Sequence, residues 1–308
     1  MKTAFIFPGQ ASQYVGMGKD LYERYETARR IFDLANTIMD MDLKTVCFDG
    51  PEEELKQTYI TQPAIFVHSV AVYKILEEKG KSCQGTAGHS LGEYSALVAA
   101  GALSFEDGLK LVKERGRLMY EAGQKQPGTM AAVIGLSEEQ VYVICDELKD
   151  VGIVQPANFN SPGQVAVSGE VEAVHAAMQK AKEAGAKKAV ELVVSGAFHS
   201  PLMQYAQDGL REALESTDFH DAVVPVYSNV GAKAVQDKDK IRELLFQQLT
   251  RPVLWQNLIQ NMITDDYDQF FEIGPGKVLR GLQKRINRQV PCQEIGTVEN
   301  LENLGDSL

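Results

Sequence analysis

Short apolar runs alternate along this chain with stretches whose apolar residues recur every three or four positions, a pattern of strands interleaved with helices. Residues 4–7 predict a first strand, which leads into the loop Pro8-Gly9-Gln10-Ala11-Ser12-Gln13. Helical spacing covers residues 20–39 and 63–79, with a polar section around Asp49-Gly50-Pro51 between them. In the second of these helices His68 lies among Ile65, Phe66, Val67, Val70 and Val72, so it reads as a core histidine. Ser104 begins another helix that runs to about residue 122. Steps of about 100° put Leu111, Val112, Leu118, Met119 and Ala122 on one face, with Arg115 among them. An arginine on a buried stripe needs an anion: an internal Asp or Glu, or a ligand carboxylate gripped by the guanidinium fork. Met119, one turn on, lines the same place.

From about residue 127 the order becomes strand (130–134), helix (137–148), two strands (151–157 and 164–168), helix (171–184) and strand (189–194). This βαββαβ succession predicts a small ferredoxin-like subdomain over residues 127–195. It is inserted in a larger subdomain made of residues 1–126 and 196–308. The expected fold class is therefore α/β, a large subdomain with a central, mostly parallel sheet plus the small insert. The stretch Asn158-Phe159-Asn160-Ser161-Pro162-Gly163-Gln164 reads as a turn-rich loop whose amides reach the cleft between the two. Residues 225–230 and 270–273 read as strands and 238–249 as a helix. The final predicted helix carries Lys277, Arg280, Lys284 and Arg288 at spacings of three or four, a basic face on an acidic protein.

A length of 308 residues with 44% hydrophobic content is enough to bury a large core. The net charge of −11 disfavours nucleic acid as a partner. Cys47, Cys83, Cys145 and Cys292 have no paired spacing, so neither a metal site nor a disulfide framework is expected. No apolar run is long enough for a membrane span, and the amino end lacks the succession of a secretory signal, so a cytoplasmic protein is expected.

The candidate chemistry lies in Gly88-His89-Ser90-Leu91-Gly92, the G-x-S-x-G pattern of a nucleophile elbow. Helix formers follow, up to Gly101, and Ser90 is the candidate nucleophile. The preceding stretch, 83–87, is weak in β-branched bulk for a strand. Among the histidines, His175 sits inside a predicted helix and His220 in a charged segment, while His89 adjoins the serine and should point away from it. His199 follows a strand in the small-residue loop Ser195-Gly196-Ala197-Phe198-His199-Ser200-Pro201 and is the best-placed general base. No aspartate follows a predicted strand end between Ser90 and His199. A serine-histidine dyad, oriented by a backbone carbonyl or an amide, is thus expected in place of a full triad.

Phe7 to Gln13, Gly88 to Glu93, Arg115-Gly116, Asn158 to Gln164, Gly196 to Ser200 and Gln248 to Pro252 occur in the order found in malonyl-CoA:acyl carrier protein transacylases, and the chain resembles that family over essentially its whole length. The family's first loop often reads G-Q-G-S-Q, and Ala11 stands here in place of the middle glycine. The resemblance implies transfer of a malonyl group from malonyl-CoA to the phosphopantetheine thiol of acyl carrier protein, by a ping-pong exchange that feeds fatty-acid synthesis. It implies Ser90 as nucleophile, His199 as base, and the backbone N–H groups of Gln10 and Leu91 as oxyanion hole. Arg115 then clamps the malonyl carboxylate, Gln248 supports the histidine and the pocket, and Phe198 disfavours a methylmalonyl group. His89, Met119 and Asn160 complete the substrate site, with no cofactor and no metal. The basic face of Lys277, Arg280, Lys284 and Arg288 is then a landing surface for the acidic carrier protein, and a monomer is expected. Two other readings stay open on residues alone: a serine hydrolase, which wants an acidic triad member, and a non-catalytic carrier-docking module.

Overall fold

All five residues of β1 (Thr3–Phe7) are buried, as expected of a strand covered on both faces. The computed structural model describes residues 1–304. After β1 come helices α1 (Lys19–Arg24), α2 (Glu26–Met39), α3 (Leu43–Asp49), α4 (Glu52–Leu55) and α5 (Thr58–Glu78). Strand β2 (Gly85–Gly88), α6 (Gly92–Ala99) and α7 (Phe105–Lys125) complete the first part. The next part holds β3 (Thr129–Ile134), α8 (Glu138–Asp146), β4 (Val154–Ser161), β5 (Gln164–Gly169), α9 (Val171–Glu183) and β6 (Lys188–Glu191). The chain ends with α10 (Gln204–Ser216), β7 (Val226–Tyr227), β8 (Ala234–Val235), α11 (Lys238–Gln248), α12 (Trp255–Thr264), β9 (Gln269–Ile273), α13 (Val278–Ile286), β10 (Cys292–Ile295) and α14 (Val298–Glu302).

These strands form two separate sheets. The first has the order β10-β9-β1-β2-β7-β8, parallel throughout except for the antiparallel β7–β8 pair at its edge. The second has the order β4-β5-β3-β6 and is antiparallel throughout. Its helices α8 and α9 bury Val141, Ile144, Val174 and Ala177 against Ala131, Val133, Val165 and Val167. That is the ferredoxin-like arrangement the element order predicts. Among the described residues no helix is long and apolar enough to cross a membrane.

Several elements differ from the sequence expectation. Residues 20–39 form two helices, because Tyr25 is extended and lets α1 fold back so that Tyr22 packs edge-on against Phe32 and Phe48. Helix α5 begins at Thr58, and Pro63 is held inside it without ending it. Strand β2 is built of small residues for a packing reason. A side chain at Gly85 would meet the Tyr267 ring, and one at Gly88 would meet the backbone of α6. The expected strand over 225–230 shrinks to two residues, and β10 and α14 follow the helix expected to be last.

Candidate active site

The site is built on the turn between β2 and α6. Ser90 occupies the left-handed region at φ 51, and close approach of the Gly92 backbone to Phe7 leaves no room there for a Cβ. Two cross-chain bonds hold this strained turn: Asn229 Oδ1 accepts from the Ser90 N–H at 2.7 Å, and Asn229 Nδ2 donates to the Gly88 carbonyl at 2.6 Å. Such strain persists only where neighbours over-determine it, and it turns the hydroxyl outward.

The Ser90 hydroxyl meets His199 Nε2 at 2.8 Å. His199 is itself at φ 57, one residue before the Ser200 that caps a short 3-10 turn at Pro201–Met203. Its Nδ1–H donates to the Gln248 carbonyl at 2.9 Å. That bond leaves Nε2 as an acceptor, so the Ser90 O–H donates to it. Among the described residues no carboxylate bonds the histidine; the orienting group is a backbone carbonyl. Burial, with the Arg115 charge beside it, pushes the His199 pKa down to about 3, so the ring is neutral.

Arg115 is 1% exposed. One guanidinium nitrogen donates to Gln62 Oε1 at 2.6 Å, and the other to Gln248 Oε1 at 2.9 Å and to Ser90 Oγ at 3.0 Å. All three of these acceptors are neutral. Burial lowers its pKa, while Tyr94 and Glu93 favour the charged form. The ring of Tyr94 lies 5.6 Å from the guanidinium carbon. Among the described residues the internal ion pair that a buried arginine calls for is therefore not formed at contact distance, and the cation faces the serine.

A cleft of about 330 Å³ opens over these groups, lined by Gln10, Leu91, Arg115, Met119, Phe198 and His199 among others. Of the sequence-predicted residues, Gln248 lies fully buried beneath the floor. Asn160 is not in a loop but in β4, where it accepts a hydrogen bond from His89 Nε2 at 2.8 Å; Asn158 lines the cleft in its place. The reason is pairing of β4 with the large part of the chain: Phe159 N–H donates to the Val253 carbonyl and Val253 N–H to that of Ala157. His89 is held against Trp255, 5.5 Å between ring centroids, and its pKa is lowered by burial.

The acyl transferase domain family matches residues 4–301. Malonyl CoA-acyl carrier protein transacylase of Bacillus subtilis is 46% identical over 98% of this chain and 95% of its own. The chain belongs to the malonyl-CoA:acyl carrier protein transacylase family. An acyl carrier protein S-malonyltransferase of Vibrio cholerae superposes with a TM-score of 0.95 at 41% identity, over 99% of this chain and 100% of that one. A malonyl-transacylase solved in complex with a type II PKS acyl-carrier protein superposes at 0.97, also 41% identical, over the full length of both chains.

Against the transacylase family pattern, the substitution at Ala11 has a structural consequence: this residue sits at φ 80, where a glycine carries no penalty. The loop keeps its form through the Ser12 hydroxyl, which donates to the Gly9 carbonyl at 2.7 Å, and the Ala11 N–H, which donates to the Gln13 side chain at 2.8 Å. Sequence reasoning missed Gln62, Glu93, Asn229 and Lys56. Gln62 and Glu93 are buried polar groups within apolar helical stretches, a signal that was there to be read. Asn229 and Lys56 reach the site only through the tertiary fold. The expected basic face is also modified: Arg280 pairs with Glu294 at 2.6 Å, Lys277 precedes α13 and Arg288 follows it.

Proposed function

We propose that this protein transfers a malonyl group from malonyl-CoA to the phosphopantetheine thiol of acyl carrier protein through a malonyl-Ser90 intermediate. The observation that carries the reading is one hydroxyl placed 2.8 Å from a neutral imidazole nitrogen and 3.0 Å from a buried guanidinium whose hydrogen-bond acceptors are all neutral. Ser90 Oγ attacks the thioester carbon as its proton passes to His199 Nε2. The carbonyl oxygen takes the electron pair, and the N–H groups of Gln10 and Leu91 receive it. Collapse breaks the C–S bond, and the coenzyme A sulfur leaves with the proton held on His199. The carrier-protein thiol then repeats the sequence in reverse, giving its proton to His199 and restoring the Ser90 hydroxyl.

Arg115 supplies selectivity. A malonyl carboxylate replaces the neutral acceptors with a charged one, whereas an acetyl group leaves the cation without its counterion. The carboxylate also offsets the positive charge that helps to hold His199 low, so the base strengthens when the right substrate is bound. Phe198, buried beside His199 in the cleft lining, is the residue this reading sets against a methyl branch. For the carrier protein, the exposed Lys277, Lys284 and Arg288 form, among the described residues, no ion pair like that of Arg280, and they offer charge complementary to an acidic partner.

The test is to mix the protein with malonyl-CoA alone and record the intact mass and the modified peptide. One malonyl group on Ser90, stable in water and discharged by thiol-bearing carrier protein, is the expected result. Free malonate without a transferable intermediate would instead mark a hydrolase.

A further inference from the structure

We infer that Glu93 is a positioning residue of this site: its buried carboxylate sets which way the Gln248 amide faces, and so aligns Arg115 and His199 toward Ser90. The inference rests on Ser90 being the acyl acceptor. Glu93 lies in the first turn of α6, is 4% exposed, and forms no ion pair within contact distance among the described residues. A carboxylate so placed depends on hydrogen-bond donors. It has two, Gln248 Nε2 at 2.6 Å and the Asn229 main-chain N–H at 3.3 and 3.4 Å from its two oxygens.

A glutamine amide fits a pocket almost equally well in two orientations, and only its neighbours choose between them. Here the choice is forced. Glu93 only accepts, so Nε2 faces it and also reaches the Ser90 carbonyl at 3.0 Å; Arg115 only donates, so Oε1 faces the guanidinium at 2.9 Å. The same residue's main-chain carbonyl orients His199. On the other side, Asn229, whose N–H is spent on Glu93, holds the Ser90 N–H and the Gly88 carbonyl with its side chain. One carboxylate thus ties together both supports of the elbow while touching none of the reacting atoms.

The charge of this group matters to the arrangement. The ionisable groups that act on it are Arg115 on α7 and Tyr94 on its own helix. Burial holds the Glu93 pKa up at about 7, against the pull of Gln248, Asn229 and Arg115. Once protonated, the group keeps an acceptor oxygen but loses its charge, so its hydrogen bonds to Gln248 Nε2 and the Asn229 N–H weaken and its hold on the amide slackens. His199, held near 3, adds no titration near neutrality.

The experiment is the rate of malonyl loading from malonyl-CoA, followed by quenched intact mass between about pH 5.5 and 8.5, for the wild type, Glu93→Gln and Gln248→Met. The expected wild-type rate falls on the acid side with a midpoint near that of Glu93. In Glu93→Gln, which accepts through one neutral oxygen and puts an NH2 group where the second carboxylate oxygen faced the Asn229 N–H, loading slows by roughly 10- to 100-fold at the upper pH and the acid limb disappears. Adding Gln248→Met to it then costs little more, because both changes cut the same link. A Glu93→Gln rate within about twofold of wild type, or an unchanged limb in that variant, overturns the inference. Should Glu93→Gln fail to fold, a flat wild-type profile or a limb that persists in Gln248→Met overturns it as well. Absence of malonyl on Ser90 at every pH would reject the proposed function and this inference with it, whereas a loaded Ser90 with an unaltered Glu93→Gln rate rejects only the latter.

Discussion

Replacing Arg115 by alanine tests the selectivity argument most directly. The side chain is 1% exposed, so a malonyl carboxylate that meets it does so out of water. Losing one partner of such a buried charge pair costs about 3–5 kcal/mol. At about 1.4 kcal/mol per factor of ten, kcat/KM for malonyl-CoA should fall roughly 10²- to 10⁴-fold. Acetyl-CoA offers no carboxylate, and its loss is confined to the disturbed network, where Gln62 Oε1 and Gln248 Oε1 lose their donor. Each orphaned acceptor costs about 1–3 kcal/mol, mostly of folding stability, and relief of the positive charge on His199 acts in the opposite sense. The measurement is acyl loading of Ser90 from an equimolar mixture of malonyl-CoA and acetyl-CoA, read by mass, with thermal unfolding recorded alongside. The malonyl-to-acetyl ratio should collapse at least tenfold relative to wild type. An equal slowing of both substrates would refute the reasoning and reduce Arg115 to a structural prop.

Further outcomes follow from other parts of the structure. Ala11→Gly removes a left-handed strain of about 1–2 kcal/mol but gives back about 0.5–1 through a freer unfolded chain, so calorimetry should show a Tm higher by up to about 2 °C. A lower Tm would mean that the methyl group packs to more effect than its strain. His68, fully buried, has its pKa pushed down to about 4 by burial. The unfolded chain therefore takes up this proton first, and stability is lost as pH falls from about 6.5 toward 4, by on the order of 1–3 kcal/mol. His68→Leu should flatten that part of a denaturant-unfolding profile; an unchanged slope would assign it to other groups. Lys284→Glu should raise the KM for acyl carrier protein several-fold at low salt, and less so at high salt, without altering malonyl loading. An unchanged KM at low salt would move the docking surface elsewhere.

The order of strands and helices, the inserted βαββαβ unit and the elbow around Ser90 were legible because each depends on residues close together in sequence. Apolar periodicity marks a strand or a helix face, and a glycine pair marks a turn that needs little room. Arg115 was legible as an anomaly, a cation on the buried stripe of α7, but the stripe alone left internal pairing and ligand binding equally open. Only the fold settled that its neighbours are the neutral Gln62, Ser90 and Gln248, which come from three other parts of the chain. Tertiary packing also overrode local preference. It kept Pro63 inside α5, drew Asn160 into β4 by pairing with Val253, and made a strand of Gly85 to Gly88 because Tyr267 and α6 press on it. The residues alone allow a backbone carbonyl or an amide behind His199, and the family resemblance points to Gln248; only the fold decides that the group is this residue's main-chain carbonyl. A backbone acceptor carries no side-chain signature, and a hydrogen bond between residues far apart in the chain exists only once the sheet has brought them together.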